Sequence, residues 1–380
     1  MKILNGRYGR INEEMKPFRY GNIFLVGSVL HAGNAVEYFS KHSKKLVVYY
    51  LLQTVRSRSD FVQVYELGHL VREYTVFVPK IPLLYYVFVY FWFLATVIRN
   101  FSPFELFHVI TFHPIFCIGR SVLQKIYRYS IVFWMADYIP KPTRSLDRLF
   151  QRLVEFYHSG NDYTIYLGDS LNKVMNGRIL KETNKKTVMW GVMPENISIK
   201  KKDMNNLAFV GVVKRSHGLD IVFYLLSQHN ELSLKIFGEC DEKLHKEYCH
   251  LIQELDIETR VTFENRFYTL SELKSELASC SVGLALYDTS HDIPIYYTDP
   301  GKVKTFTQYG LPVIMTRTSD IVPYIEKYTA GEVVDRNPEA VYDAIVKMRK
   351  SYSIYLDGVK KFNSYFDCEK YYKHGFSFME

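Results

Sequence analysis

Two kinds of hydrophobic pattern alternate along most of the 380-residue chain. Short apolar runs, bounded by glycine, proline or polar residues, predict buried strands. Between them lie longer segments with apolar residues three or four positions apart, which predict helices that bury one face. Strands that alternate with helices are typical of parallel sheets covered by helices. The pattern therefore predicts an α/β fold.

The predicted strands form two series, separated by a polar stretch near residues 190–204. The first series is Asn22–Ser28, Leu46–Leu52, Val71–Val78, Phe107–His113, the start of Ser130–Pro140, Tyr163–Gly168 and Thr187–Val192. The second series is Leu207–Val213, Leu234–Gly238, Arg260–Phe263, Val282–Tyr287, Pro312–Met315, Ile321–Glu326 and Gly331–Val334. The predicted helices include Ala35–His42, Ile221–His229, Leu244–Leu255, Leu270–Ser279, Lys302–Tyr309, Pro338–Lys350 and Tyr352–Tyr365. Two such series predict two Rossmann-like domains, with a boundary after residue 190.

One segment, Ile81–Ile98, is apolar over eighteen residues without a charge. As a helix it would be about 27 Å long, slightly shorter than a bilayer core of about 30 Å. It is hydrophobic on every face, whereas a surface helix has one apolar stripe. Three interpretations remain open: a core helix, a helix with its outer face in a membrane interface, or a membrane span. Its tyrosines and tryptophan suit an interface.

Charge is distributed unevenly around a net value of +8. Residues 1–190 contain 25 Lys and Arg against 13 Asp and Glu, and the remainder contains 23 against 27. A basic half predicts an anionic partner, and the aromatic segment favours a membrane surface over nucleic acid. Five scattered cysteines and an N-terminus without an apolar signal core predict a cytoplasmic protein, peripheral on the inner face of the membrane.

Polar residues follow the strands of the first series. His113 ends one predicted strand, and Asp137 and Tyr138 follow another. A loop containing Gly33 and Asn34 leads from the first strand into a helix. Because ligands bind beyond the carboxyl ends of strands in open α/β sheets, these residues are expected to line one crevice.

The stretch from Tyr297 to Thr316 contains the most distinctive chemistry. Asp299, Pro300 and Gly301 form a predicted turn that opens the helix Lys302–Tyr309. The N-terminus of a helix attracts anions, above all phosphate. Lysine destabilises that end of a helix, so Lys302 and Lys304 are better explained by an anionic ligand than by folding.

A second loop repeats this arrangement. Gly211 ends a predicted strand, and Lys214 and Arg215 precede the helix Ile221–His229. Glycine and basic residues before a helix again favour phosphate. Two loops of this kind predict a site for one pyrophosphate.

These residues resemble a known family. Pro300, Lys302, Gly310 and Pro312-Val-Ile314 resemble the C-terminal signature of retaining glycosyltransferases of the GT-B fold, the group 1 or family 4-like enzymes. The resemblance implies two Rossmann-like domains that face across a cleft, an N-terminal acceptor domain (1–190) and a C-terminal donor domain (191–365). It also implies that residues 366–380 return to the N-terminal domain. The implied substrate is a nucleotide sugar, linked to UDP or GDP, with no cofactor and no metal.

The residue patterns and the resemblance together suggest a role for each candidate residue. The catalytic residues would be Lys302, which stabilises the leaving diphosphate, with His113 and Asp137 on the acceptor side. The donor would be bound by Gly211, Lys214, Arg215, Asn265, Arg266, Asp299, Gly301, Lys304 and Thr305. Gly33, Asn34 and Tyr138 would line the acceptor side.

Four positions depart from the family pattern. The family often has two glutamates that correspond here to Tyr297 and Thr305, and its phosphate-loop arginine and lysine correspond to Val212 and His217. We predict a glycosyltransferase that uses a lipid-linked or polysaccharide acceptor, with retention of configuration. The alternatives are a nucleotide-sugar epimerase of the same fold and a relative that binds nucleotide sugars without catalysis.

Overall fold

The computed structural model describes residues 18–27, 34–52, 59–79, 81–136, 138, 142, 145–158, 162–176, 185–195, 204–288 and 294–380. Within these ranges the chain forms two separate sheets, one of eight strands and one of six, with helices packed against them. The predicted α/β class is confirmed.

The first sheet contains strands β1 to β8, in the spatial order β4-β3-β2-β1-β5-β6-β7-β8. Six of them are parallel, and β3 and β4 form an antiparallel hairpin at one edge. The strands are β1 (Tyr20–Gly27), β2 (Ser43–Tyr50), β3 (Phe61–Glu66), β4 (His69–Thr75), β5 (Phe107–Thr111), β6 (Tyr129–Met135), β7 (Tyr163–Tyr166) and β8 (Lys185–Thr187).

The second sheet is wholly parallel, in the order β11-β10-β9-β12-β13-β14. Its strands are β9 (Asn206–Val210), β10 (Ser233–Phe237), β11 (Val261–Phe263), β12 (Val282–Ala285), β13 (Val313–Thr316) and β14 (Gly331–Val334). Their side chains are buried on both faces at the centre of the sheet, since helices cover each side.

The helices of the first half are α1 (Ala35–His42), α2 (Pro82–Asn100), α3 (Arg120–Ile126), α4 (Ser145–His158) and α5 (Asp169–Asn176). Those of the second half are α6 (Leu219–Gln228), α7 (Glu242–Glu254), α8 (Leu270–Leu277), α9 (Gly301–Gln308), α10 (Val322–Tyr328), α11 (Pro338–Lys350), α12 (Tyr352–Tyr365) and α13 (Cys368–Gly375). Short 3-10 helices occur at Pro114–Cys117, Arg215–His217, Glu258–Arg260, Pro294–Tyr297 and Ser377–Met379.

One predicted strand, Ile321–Glu326, is wrong, and another, Val71–Val78, is confirmed in part. Ile321–Glu326 was expected to close the second sheet, but α10 covers most of it, because a proline in its first turn suits a helix and Val322 and Ile325 bury one face. The predicted strand Val71–Val78 is the outer half of a hairpin whose inner strand, β3, the pattern did not predict.

The apolar segment Ile81–Ile98 lies almost wholly within α2, which packs on the first sheet by one face. Tyr85, Val89 and Phe93 are buried there, and the Phe93 ring stacks on Phe24 with centroids 5.4 Å apart. On the outer face, Phe91 and Ile98 are 64% and 67% exposed. The core-helix interpretation is therefore wrong. Among the described helices, none is long and apolar enough to cross a membrane.

The two halves of the chain are joined by a crossover of two adjacent segments, residues 189–192 and 366–368. Val192 donates its backbone N–H to Phe366, and Cys368 donates its own to Val192, at 2.7 and 2.9 Å. Beyond this point α13 packs on the first half, where the Tyr372 ring contacts Tyr38. On these contacts we propose the domain division at residues 1–190, 191–365 and 366–380.

Candidate functional site

The strand order of the second sheet locates a crevice. The chain moves outward from β9 in one direction through β10 and β11, and then returns to place β12 on its other side. Ligands bind at such a switch point, beyond the carboxyl ends of the two central strands. The loops there are residues 211–218 after β9 and 286–288 after β12. They contact each other, since Asp288 donates its N–H to the Ser216 carbonyl at 2.8 Å.

Two glycines shape this crevice. Gly211 has φ +104°, a conformation that other residues rarely adopt, and a side chain at this position would meet no atom within 4 Å. The space beside its backbone is therefore open to a ligand. Gly218, with φ +71°, is tightly packed against Leu286 and precedes α6.

Lys302 projects from the first turn of α9 into the same crevice. Its Nζ lies 3.9 Å from the centroid of the Phe209 ring and 4.8 Å from that of Tyr287. The side chain is half-buried, and within the described residues it makes no ion pair or hydrogen bond. Burial, with Lys214 nearby, holds its pKa well below the ordinary value for lysine. A half-buried cation of this kind lacks the counter-charge that normally accompanies it.

Basic groups converge around Lys302. The His217 ring lies against Tyr287, with centroids 5.1 Å apart, and its Nδ1 is buried without a partner among the described residues. Burial, together with the nearby charges of Lys302 and Lys214, lowers the pKa of His217 to about 2. Lys302, with Lys214 nearby, therefore places positive charge beside a buried His217 nitrogen, an arrangement that favours an anionic ligand.

Arg215 lies in the same loop but has another partner. It is exposed and forms an ion pair with Glu247 on α7. The structure therefore places Lys214, in the loop that begins at Gly211, near Lys302, while Arg215 is directed toward the surface. Its predicted role in donor binding stays a prediction.

Asn265 and Arg266 follow β11 at the side of the crevice. Asn265 has a φ of +48°, and its Oδ1 accepts the Cys240 N–H at 2.8 Å. Arg266 forms ion pairs with Glu264 and Glu272, at 2.6 and 2.8 Å, and lies over the Tyr268 ring. Both residues order the loops after β10 and β11, and their predicted contact with a donor is untested.

Asp299 and Lys304 form a buried pair instead of lining the crevice. Lys304 Nζ lies 3.6 Å from Asp299 Oδ2, and both side chains are almost completely inaccessible. The fold thus separates Lys304 from Lys302, although both belong to the first turn of α9. Thr305 donates its hydroxyl to the Gly301 carbonyl at 3.1 Å. Donor binding by these four residues remains a prediction, and burial favours a structural role for Asp299 and Lys304.

His113 lies at the carboxyl end of the first sheet, next to the 3-10 helix Pro114–Cys117. Its Nδ1 accepts the Ile115 N–H at 3.3 Å, and its ring stacks on Tyr86 and meets the edge of Phe150. Burial lowers the pKa of His113 to about 4, so the ring is neutral near pH 7. With Nδ1 as the acceptor, the proton of the neutral ring is on Nε2.

The other predicted acceptor-side residues are only partly within the described ranges. Gly33 and Asp137 lie outside them. Asn34 precedes α1 and donates to Gln308 Oε1 on α9 at 2.9 Å. Tyr138 is buried and meets Tyr297 edge-to-face, with ring centroids 5.2 Å apart. Both residues therefore contact the second half of the chain.

Several site residues were not singled out from the sequence. Phe209 and Tyr287 are strand-end aromatics that look like ordinary core residues until Lys302 is placed between them. Asp320, after β13, accepts two hydrogen bonds from Ser170 at the start of α5, at 2.7 and 2.6 Å, and so joins the two halves. Asp320 and Ser170 are 150 residues apart in the sequence, and no local pattern predicts a contact over that separation.

Within the described part of the chain, no three His, Cys, Asp or Glu side chains are grouped so as to hold a metal ion. The described cations of the crevice, Lys302 and Lys214, suit an anionic ligand.

Comparison with solved structures identifies the architecture. Sucrose-phosphate synthase from Thermosynechococcus elongatus matches 94% of this chain and 98% of its own, with a TM-score of 0.68 and 12% identity. Anabaena HepE in complex with UDP matches 94% and 99%, with a TM-score of 0.63 and 14% identity. WaaG, a glycosyltransferase involved in lipopolysaccharide biosynthesis, matches 94% and 98%, with a TM-score of 0.59 and 14% identity. No family model and no curated protein matches the sequence.

These likenesses establish the fold. The chain has the GT-B fold of nucleotide-sugar-dependent glycosyltransferases, with two Rossmann-like domains that face across a cleft. The fold predicted from the sequence is confirmed.

Proposed function

We propose that this protein is a glycosyltransferase that moves a sugar, with retention, from a nucleotide sugar to a lipid-linked or glycan acceptor. One observation carries the proposal. Lys302 is a half-buried cation without an ion-pair partner among the described residues, and it lies at the switch point of the second sheet. A positive charge at this point would stabilise the diphosphate of a nucleotide sugar bound beyond the strand ends.

The chemistry follows from the charges. Transfer of the sugar leaves a nucleoside diphosphate, on which negative charge grows as the glycosidic bond breaks. Lys302, Lys214 and the N–H groups at the start of α9 stabilise that charge in the transition state more than in the ground state. Gly211 lets the backbone approach the phosphates closely, since no side chain occupies that space.

We propose UDP as the nucleotide of the donor. HepE, which shares the fold over nearly its whole length, was solved with UDP and with UDP-glucose. The acceptor side would be formed by His113, Asn34 and Tyr138. His113 is neutral and presents Nε2–H, so it can donate a hydrogen bond to a sugar hydroxyl without competing for the diphosphate.

We also propose peripheral binding to an anionic membrane through the outer face of α2. Val87, Phe91 and Ile98 are exposed on that face, and Phe77, which is 77% exposed, precedes the helix. The basic first half adds attraction of about 1 kcal/mol for each Lys or Arg near an anionic surface. A surface of this kind would place the acceptor domain next to a lipid-linked substrate.

The test is a binding panel of UDP, GDP, UDP-glucose and GDP-mannose, followed by product analysis with candidate acceptors. The bound ligand should stabilise the protein by about 2–3 kcal/mol at a hundredfold excess over Kd. A glycosylated acceptor supports transfer, whereas an isomerised free nucleotide sugar would identify an epimerase. Binding of a nucleotide without turnover on any acceptor would indicate a protein that binds nucleotide sugars without catalysis. Indifference to all four ligands would contradict the proposal.

A further inference from the structure

The start of α9 is fastened to the crossover between the two sheets by a buried pair. Asp299 Oδ2 accepts the backbone N–H of Trp190 at 2.8 Å and lies 3.6 Å from Lys304 Nζ. The same ammonium lies 2.9 Å from the centroid of the Phe366 ring. Asp299, just before α9, and Lys304, in its first turn, therefore contact the two segments of the crossover, at Trp190 and at Phe366.

The crossover itself is held by a regular set of hydrogen bonds. Four consecutive backbone N–H groups, those of residues 189–192, donate to Tyr371, Asp299, Tyr372 and Phe366 respectively. Two of these acceptors belong to α13, which packs on the first half. Asp299 differs from them because it is three residues from Lys302, in the turn that opens the crevice.

Stability alone does not explain this pair. A buried ion pair loses the hydration of both charges, and a hydrophobic pair of similar volume is often equally stable. Burial lowers the pKa of Lys304 to about 7 and raises that of Asp299, which shows that the desolvation of both groups is substantial. What the carboxylate provides, and a hydrophobic side chain cannot, is an acceptor for the Trp190 N–H.

The other end of α9 is also held across the two halves. Gln308 accepts a hydrogen bond from Asn34 in the first half, and Glu195, beyond the crossover, donates its N–H to the Gln308 carbonyl at 3.4 Å. Asn363 on α12 donates to the Thr307 carbonyl at 2.6 Å. The helix that presents Lys302 thus connects the crevice to the crossover through hydrogen bonds at both ends.

We propose that Asp299 and Lys304 are positioning residues, which hold Gly301 and Lys302 at a fixed distance from Trp190 and so couple nucleotide binding to the relative placement of the two domains. This inference rests on the proposed function and extends it from a binding site to a coupling. Both side chains are enclosed by Trp190, Phe362 and Phe366, so in this proposal they act without touching the nucleotide, in place of the direct donor contact predicted from the sequence.

Two double variants distinguish the effect of the hydrogen bond between Asp299 and the Trp190 N–H from the effect of the ion pair. Asp299→Asn with Lys304→Met and Asp299→Leu with Lys304→Met both remove the ion pair. Asparagine keeps a side-chain carbonyl for the Trp190 N–H, and leucine does not. UDP affinity is measured by calorimetry, and amide hydrogen exchange is followed at Trp190 and at residues 303–306.

The asparagine variant should bind UDP within about threefold of the unaltered protein, and the leucine variant about tenfold more weakly, which corresponds to about 1.4 kcal/mol. In the leucine variant, exchange should accelerate at Trp190 and at residues 303–306 together. Equal affinity in the two variants would overturn the coupling, as would faster exchange at Trp190 with residues 303–306 unchanged. If the unaltered protein binds no UDP, the proposed donor fails, and the exchange measurement still decides whether Asp299 holds residues 303–306 to Trp190.

Discussion

Lys302 Nζ lies 3.9 Å from the centroid of the Phe209 ring, in a crevice where the described residues offer it no carboxylate. A ring face attracts a cation by about 0.5–2 kcal/mol, much less than a buried ammonium loses in hydration. The depressed pKa of Lys302 reflects that deficit. The negative charge of a bound diphosphate would compensate for this lost hydration. The position of Lys302 is therefore unfavourable without a ligand and favourable with one.

Replacing Lys302 should therefore separate stability from function. We expect Lys302→Ala to abolish turnover and to weaken UDP binding at least about tenfold, since a charge-assisted contact is lost. Unfolding temperature without ligand should be unchanged or higher, because a desolvated cation is removed beside Lys214. The control is Lys243→Ala on the exposed face of α7, which should bind normally. Near-normal turnover of Lys302→Ala would remove the leaving-group assignment.

The backbone of Gly211 provides a second test. With φ +104°, Gly211→Ala places an L-residue in a strained conformation that costs about 1–3 kcal/mol, and its methyl group enters the open space proposed for the phosphates. Both stability and UDP affinity should fall. Gly21→Ala is the matched control, because it too has no atom within 4 Å of the new methyl but lies on β1 without a positive φ. If Gly211→Ala binds UDP as well as the control does, the phosphates do not approach this backbone.

The acid sensitivity of the protein should depend on His113. Its pKa is about 4 when folded, against an ordinary value near 6.5. Between these values the unfolded chain binds a proton that the folded chain does not, so the free energy of unfolding falls as pH drops from 6.5 to 4. Below pH 4 both states are protonated and the contribution no longer changes.

His113→Asn tests this dependence, because asparagine can still accept the Ile115 N–H at the start of a helix but does not titrate. Between pH 7 and pH 5, the unfolding temperature of the variant should fall less than that of the unaltered protein. His69→Asn, at an exposed histidine of β4, serves as the control. Parallel pH profiles for all three proteins would show that His113 is not buried in the neutral form.

Comparison of the two lysines of α9 shows what the sequence could and could not predict. The glycine turn, the helix and the following strand were all predictable, because turn chemistry and hydrophobic period act locally. Lys302 and Lys304, however, look equivalent in the sequence. Residues two positions apart lie on different faces of a helix, so only one could face the crevice. Lys304 is buried by Phe362 and Phe366, and no local pattern predicts contacts with residues about sixty positions away.

The same distinction explains the other differences. The two series of strands predicted the fold, which is a property of the repeated pattern along the chain. Other contacts depend on how the two halves meet. Asp320 accepts hydrogen bonds from Ser170 of α5 in the other half, and two tyrosines of α13 accept hydrogen bonds from residues 189 and 191. Ile321–Glu326 was misassigned because a short apolar run fits a strand as well as one turn of a helix.

The last prediction concerns membrane binding by the outer face of α2. Phe91→Asp places a charge at the centre of the exposed apolar face, without touching Tyr85, Val89 or Phe93, which hold the helix on the sheet. Stability should change by less than about 0.5 kcal/mol, as for other surface substitutions. Co-sedimentation with vesicles that contain phosphatidylglycerol should fall several-fold, and raising the salt concentration should weaken binding of the unaltered protein. Ile354→Asp, at an exposed apolar residue of α12 in the second half, should sediment normally. Equal sedimentation of Phe91→Asp and Ile354→Asp would show that α2 is not the membrane-binding surface, whatever the acceptor is.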